Sequence, residues 1–194
     1  TWKIIPNFNY ECSNYGRIRN TTTKKLKQLR VSRYGNQVVL WKDSKGYIWS
    51  GGYYNLKCID PRKNTVRLYP GVNTVTAIEE KDTNFMWVGT ATGLFLLNRN
   101  SGEYQYILMP VESTYINTLY QANDGLLYIG TNGSGVLIYD PGNMSFEHYY
   151  ADNSALVSNS IYTILPEMNG QIMMSTENGI TSFSIEKRSF HNWS

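Results

Sequence analysis

The 194-residue chain predicts an all-β fold of β-propeller-type repeats, and two observations predict it. The first is internal self-similarity. Residues 38–52, 75–90, 116–131 and 161–176 align with one another, and the equivalent positions Trp49, Trp87, Tyr128 and Met173 stand 38, 41 and 45 residues apart. A period of roughly 40 residues is that of one four-stranded blade. The second is turn chemistry. Asp43 to Gly46, Asn123 to Gly125 and Met168 to Gly170 each separate two short apolar runs and end on glycine. Asp-Gly and Asn-Gly pairs supply the positive φ that tight hairpins need, so the chain must return antiparallel. About four blades are expected over residues 37–194, after a small basic N-terminal β module over residues 1–36.

Within each unit the strands follow in order. An apolar first strand (75–78, 116–120, 161–165) enters the hairpin and returns as an aromatic-apolar-Gly-Thr strand, as in Trp87 to Thr90 and Tyr128 to Thr131. A second turn (91–93, 132–135, 177–179) leads to a third strand (94–98, 136–140, 180–185). A further turn at 60–62, 98–102 or 140–142 leads to an outer strand (65–69, 104–108, 146–150). Repeated short strands with Gly-rich turns fit a propeller rather than a sandwich. Gly89 and Gly130 are read as places where strands approach closely. Trp49, Trp87 and Tyr128 are read as packing between blades, where an aromatic buries roughly 150–250 Å². Almost no helix is expected, and Trp87 and Tyr128 should be buried at equivalent positions.

Composition agrees with a folded chain: 41% of residues are apolar and 14% aromatic, with 16 Tyr. No stretch approaches the roughly 18 consecutive apolar residues of a membrane-spanning helix, and no basic-then-apolar leader opens the chain. The start at Thr1 reads as a processed or excised segment. Cys12 and Cys58 are too few and too far apart for a metal knuckle or a disulfide framework. The net charge of +3 hides a split. Residues 1–50 hold ten Lys or Arg against two acids, a surplus of eight, whereas the remainder holds eight basic and thirteen acidic residues, a deficit of five. Two surfaces with different partners are implied, the basic one attractive to nucleic acid or an anionic membrane.

Asp43, Gly46 and Trp49, then Trp87, Gly89, Thr90, Gly93 and Leu94, then Asp124, Gly125, Gly130 and Thr131 spell Asp-x-x-Gly-x-apolar-Trp-apolar-Gly-Thr followed by Gly-Leu. This pattern resembles the two-component regulator propeller repeat of sensor regions in bacterial hybrid two-component systems. Met173, Met174 and Ser175 depart from it in the last unit. The resemblance implies an incomplete propeller, since such propellers use more blades to close. It also implies a non-enzymatic, periplasmic segment of an inner-membrane sensor, with an oligosaccharide as ligand. The rest of a larger sensor protein, or a second chain, would cover the open blade edge. Ligand contacts are then expected from the turns at one end of the blades: Tyr53, Tyr54, Asn55, Thr92, Asn132, Ser134 and Asn178.

The basic head does not follow the repeat. Trp2, Ile5-Pro6, Ser13-Asn-Tyr-Gly16, Arg17-Ile-Arg19 and Tyr34-Gly35 resemble, over residues 2–45, the nuclease-associated modular DNA-binding motif of HNH homing endonucleases. A strand after the Ser13 to Gly16 turn would send Arg17 and Arg19 to one side. The resemblance implies duplex-DNA contacts from Arg17, Arg19, Lys24, Lys25, Lys27, Arg30 and Arg33, in a cytoplasmic protein. Cleavage is not expected, because His148 and His191 are the chain's two histidines and lie in the repeats. Neither a phosphate-binding Gly-rich motif nor a metal or cofactor site is present in the sequence. The acids Glu79, Glu80 and Asp82 are expected to form a solvated edge, not a catalytic pair. A protein-interaction scaffold is the third functional class that the repeats permit.

Overall fold

The computed structural model describes residues 2–5, 10–13, 18–20, 39–168 and 170–193. Among them the regular elements are nineteen strands in five antiparallel sheets, with no helix. β1 (Trp2–Ile5), β2 (Tyr10–Ser13) and β3 (Ile18–Asn20) make a small meander, with Trp2 opposite Ser13 and Glu11 opposite Arg19. Four sheets of four strands follow. Blade one comprises β4 (Val39–Lys42), β5 (Ile48–Gly51), β6 (Leu56–Asp60) and β7 (Thr65–Tyr69). Blade two comprises β8 (Val75–Glu80), β9 (Phe85–Thr90), β10 (Gly93–Asn98) and β11 (Tyr104–Ile107). Blade three comprises β12 (Ile116–Gln121), β13 (Leu127–Thr131), β14 (Val136–Asp140) and β15 (Ser145–Tyr149). Blade four comprises β16 (Ile161–Met168), β17 (Gln171–Thr176), β18 (Gly179–Ser184) and β19 (Ser189–Trp193), so the departing unit still completes its sheet.

Contacts divide the chain into Thr1–Val75 and Thr76–Ser194. The boundary expected between residues 36 and 37 lies outside the described residues. In the first unit, the motif acid of blade one holds its own hairpin. Asp43 is buried, takes the Tyr47 N–H at 2.8 Å on Oδ1 and the Trp49 indole N–H at 3.0 Å on Oδ2. Trp49 is thereby pinned against Tyr69, ring centroids 5.2 Å apart. An Asp is needed because a short two-oxygen acceptor serves the turn backbone and the indole at once.

In the second unit the alternation of a β-strand places neighbouring residues on opposite faces, and both faces of blade three are covered. Leu127 and Ile129 join Trp87, Leu94 and Ile116 in one core layer. Tyr128 and Ile138 join Ile161, Ile172, Met174 and Phe183 in the next. This is why β13 reads as unbroken apolar sequence instead of an alternating one. Trp87 and Tyr128 are 1% and 0% exposed, as the repeat predicts.

The glycine two residues after each of these aromatics is a socket. A Cβ on Gly89 would lie 2.7 Å from Ile116 Cγ2. On Gly130 it would lie 2.8 Å from Ile161 Cγ2 and 2.6 Å from Thr118 Cγ2. The β-branched residue that opens each following blade thus fills the space a side chain would occupy.

Polar bonds cross the same seam. Trp87 donates its indole N–H to Gln121 Oε1 at 2.6 Å, and Gln121 Nε2 reaches the Leu126 carbonyl at 3.3 Å. The expected solvated edge is not one. Glu80 forms a buried pair with Arg99 at 3.1 Å, and Asp82 caps its own turn through the Asn84 and Phe85 N–H groups. Burial drives the Glu79 carboxyl up to about 7, against the lowering effect of the Gln121 N–H it accepts, and neighbouring Glu80 raises it further. Sequence spacing marks these acids as turn-proximal but cannot reveal that Glu79 meets Gln121 of blade three or that Glu80 pairs with Arg99.

Candidate functional site

In an antiparallel meander the connections between strands two and three and those between blades emerge at the same end. In the second unit these connections are tied together there. Asn132 N–H donates to the Tyr115 carbonyl at 2.9 Å, and both Gly133 and Gly135 donate to the Asn159 carbonyl, at 3.0 and 2.7 Å. Glu177 N–H reaches the Ser160 carbonyl at 3.1 Å, and Asn178 Nδ2 reaches the Val157 carbonyl at 3.1 Å. Segments 113–115, 132–135, 157–160 and 177–178 therefore form one linked surface.

A repeated tie positions each loop. Thr90, Thr131 and Thr176 donate their hydroxyls to the carbonyls of Gly93, Gly135 and Gly179 at 2.9, 2.8 and 3.0 Å. Each hydroxyl in turn accepts a loop N–H, from Thr92, Ser134 or Asn178. The motif threonine is thus the loop's anchor.

The expected contact residues divide by this geometry. Asn132 and Ser134 share one loop and are joined to Asn178 through segment 157–160. Ser134 Oγ is spent on the Ser113 carbonyl at 3.1 Å, so Ser134 shapes the surface from within. His148 Nε2 braces the same loop at 2.7 Å from the Ser134 carbonyl. Thr92 and Asn132 are exposed, Thr92 with its hydroxyl 3.2 Å from that of Thr90. Sequence reasoning missed Ser113, Tyr115, Asn159 and Ser160, which lie in connections without periodicity. Their signal is a run of Ser and Asn between blades, too common to single out. Exposed Glu112 and Glu177 border the surface, whose exposed groups are amides, hydroxyls and carboxylates, all capable of hydrogen bonding.

In the first unit, Tyr53 and Tyr54 stand exposed at 48% and 73%, edge to face with centroids 4.6 Å apart. Their loop is held by the Thr74 N–H on the Tyr53 carbonyl at 3.2 Å. Asn55 and Thr74 adopt the left-handed region at φ 52° and 51°, a strained setting for β-branched Thr74. Elsewhere, a cleft of about 410 Å³ between blades two and three is lined by Trp87, Leu96, Ile107, Tyr139 and Met144 and contains none of the expected contacts. Among the described residues no group of His, Cys, Asp and Glu is placed to hold a metal ion. Arg17, Lys24, Lys25, Lys27, Arg30 and Arg33 lie outside the described residues, and Arg19 falls in β3.

Residues 110–133 match the two-component regulator propeller family. Solved structures share the arrangement of sheets. The extracellular domain of a hybrid two-component system from B. thetaiotaomicron aligns at a TM-score of 0.70 and 16% identity, over 87% of this chain and 26% of that one. A second such domain from B. thetaiotaomicron aligns at 0.67 and 20%, over 93% and 26%. Virginiamycin B lyase from Staphylococcus aureus aligns at 0.67 and 13%, over 98% and 70%. The fold is that of a β-propeller. The chain spans about a quarter of the length of the two sensor domains. No curated protein matches it in sequence. The HNH-associated motif expected in the head has no counterpart among these matches.

Proposed function

We propose that the chain is the ligand-recognition segment of a larger bacterial hybrid two-component regulator, lying on the periplasmic side and acting without catalysis. One observation carries the reading. The matched residues 110–133 supply the connection before blade three, its first two strands and the start of the loop at Asn132, and so much of the linked surface. The likeness to extracellular sensor domains supports the location, and the wealth of amide and hydroxyl groups supports a neutral polyhydroxylated ligand such as an oligosaccharide. In the second unit Thr92, Asn132 and Asn178 would supply hydrogen bonds; taken separately, the first unit's Tyr53 and Tyr54, flanked by Asn55, would offer ring faces for stacking against sugar C–H groups. Calorimetric titration against a panel of neutral and acidic oligosaccharides tests this. Binding that weakens at least tenfold in Asn132→Ala supports the reading, and a folded protein that binds no member removes the saccharide.

A second reading keeps the basic head as a DNA-binding module. It is favoured by the three-stranded meander of β1, β2 and β3 in a head, residues 1–36, whose sequence holds eight basic residues and one acid, since a β-ribbon can enter a major groove.

A further inference from the structure

Blades two, three and four meet at two seams of one construction, and the seams differ in what fills them. In each, the motif aromatic meets a ring of the following blade edge to face: Trp87 and Tyr139 at 5.8 Å, Tyr128 and Phe183 at 6.1 Å. Between blades three and four the chain completes the packing with its own side chains. The Tyr149 ring lies against Phe183 and Phe190, each 5.4 Å away between centroids, and donates its hydroxyl to Glu147 at 2.7 Å. Arg188 passes over Phe183 and clasps the same Glu147.

Register identifies the counterparts of these groups between blades two and three. Tyr149 stands opposite Val136 as Ile107 stands opposite Leu94, so Ile107 holds the place of Tyr149. Two residues earlier on each outer strand, Gln105 holds the place of Glu147. Met144 holds that of Arg188, since each ends the turn before its outer strand in the left-handed region, at φ 58° and 51°. An aliphatic chain thus replaces a ring, and an amide and a thioether replace an ion pair. These smaller, uncharged side chains leave the cleft of about 410 Å³ at this seam.

Size, lining and charge define what fits. The volume falls among the roughly 300–1,000 Å³ of small-molecule sites. Trp87, Leu96, Ile107, Tyr139 and Met144 give apolar walls with two rings and a polarizable sulfur, which favour a flat aromatic guest. Among the described lining residues Lys81 alone carries a charge, and Asp82 neutralises it at 3.1 Å, so the guest is uncharged. Exposed Gln105 offers an amide oxygen where Glu147 accepts the Tyr149 hydroxyl. We infer that the cleft is a binding site for a neutral phenol-type aromatic molecule, its ring standing where Tyr149 stands in the next seam. Lys81 and Met144 lie beside the turns at the end of the blades away from the linked loops, so the site is separate from the recognition surface.

The probe is p-cresol, which is the tyrosine side chain as a free molecule. It is titrated to about 10 mM into the whole chain, the weak range suited to so few atoms, by calorimetry and by NMR of methyl-labelled methionine. The expected result is saturable binding that moves the Met144 methyl signal, assigned through Met144→Leu. Methylcyclohexanol, which lacks the aromatic ring, and methylbenzoate, which is an anion, should each bind at least tenfold more weakly. Ile107→Tyr supplies the ring from the chain itself and should abolish the calorimetric signal. Gln105→Glu with Met144→Arg changes exposed positions alone, builds the clasp of the next seam across the mouth, and should weaken p-cresol at least tenfold with unchanged circular dichroism. Leu68→Asp, on exposed surface of blade one, should leave the affinity as it was. Absence of saturable binding overturns the inference. So does binding that leaves the Met144 signal unmoved, or that persists at full strength in the Gln105→Glu, Met144→Arg variant.

Discussion

At the scale of single residues, the motif positions prove to be joints. Gly130 is the sharpest, because its missing side chain is the space that Thr118 and Ile161 fill. Gly130→Ala should therefore lower unfolding free energy by about 2 kcal/mol, the usual cost of overpacking a tight core, as read by urea denaturation. Thr131 is a joint of another kind. Its hydroxyl is fully buried, gives one hydrogen bond to the Gly135 carbonyl and takes another from Ser134 N–H. Thr131→Val keeps the shape and removes both bonds, which should cost about 1–2 kcal/mol. It should also weaken ligand binding at the linked loops, because the loop loses its anchor; calorimetry on the variant separates the two effects.

Between elements, the seam of blades two and three mixes apolar packing with a buried carboxyl. Glu79 holds its proton more tightly when folded, about 7 against 4.5, because burial outweighs the Gln121 N–H. A group raised in the folded state binds more protons there than in the unfolded chain. Stability should accordingly fall as pH rises from about 4.5 to about 7 and then level off. The full swing is on the order of 3 kcal/mol. Glu79→Gln should flatten the profile and raise stability at pH 8, as measured by thermal unfolding across pH; an unchanged profile would remove Glu79 as its source. The same seam shows how far sequence carries. Period, turn glycines and the Trp87 and Tyr128 positions follow from local pattern, since hairpin chemistry and strand alternation act over a few residues. The burial of Glu79 depends on Gln121 of the next blade, and the Arg99 pair and the diversion of Ser134 to Ser113 depend on partners 19 and 21 residues away along the chain. The 113–115 and 157–160 connections have no periodicity to read, so the site was legible only in its hairpin loops.

For the whole molecule, the charge split sets a decisive measurement between the two functional readings. If the head binds duplex DNA, log K should fall with log salt at a slope near −0.9 per phosphate contact, and replacing Arg17 and Arg19 together with Ala should flatten it by about two units. Fluorescence anisotropy with labelled duplex, on parent and variant, reads both; no binding at about 50 mM salt ends the DNA reading. A last consequence follows from the two-sided cover of blade three and the exposure of Leu165, Ile180 and Trp193 on blade four. Amide protons report how often each strand opens to water, and cooperative units open in the order of their packing. In this 194-residue chain, deuterium should enter β17 and β18 well before β13 and β14, although all four strands are doubly paired within their own sheets. The second unit would then loosen from its exposed sheet inward, with Tyr128 among the last side chains to meet solvent.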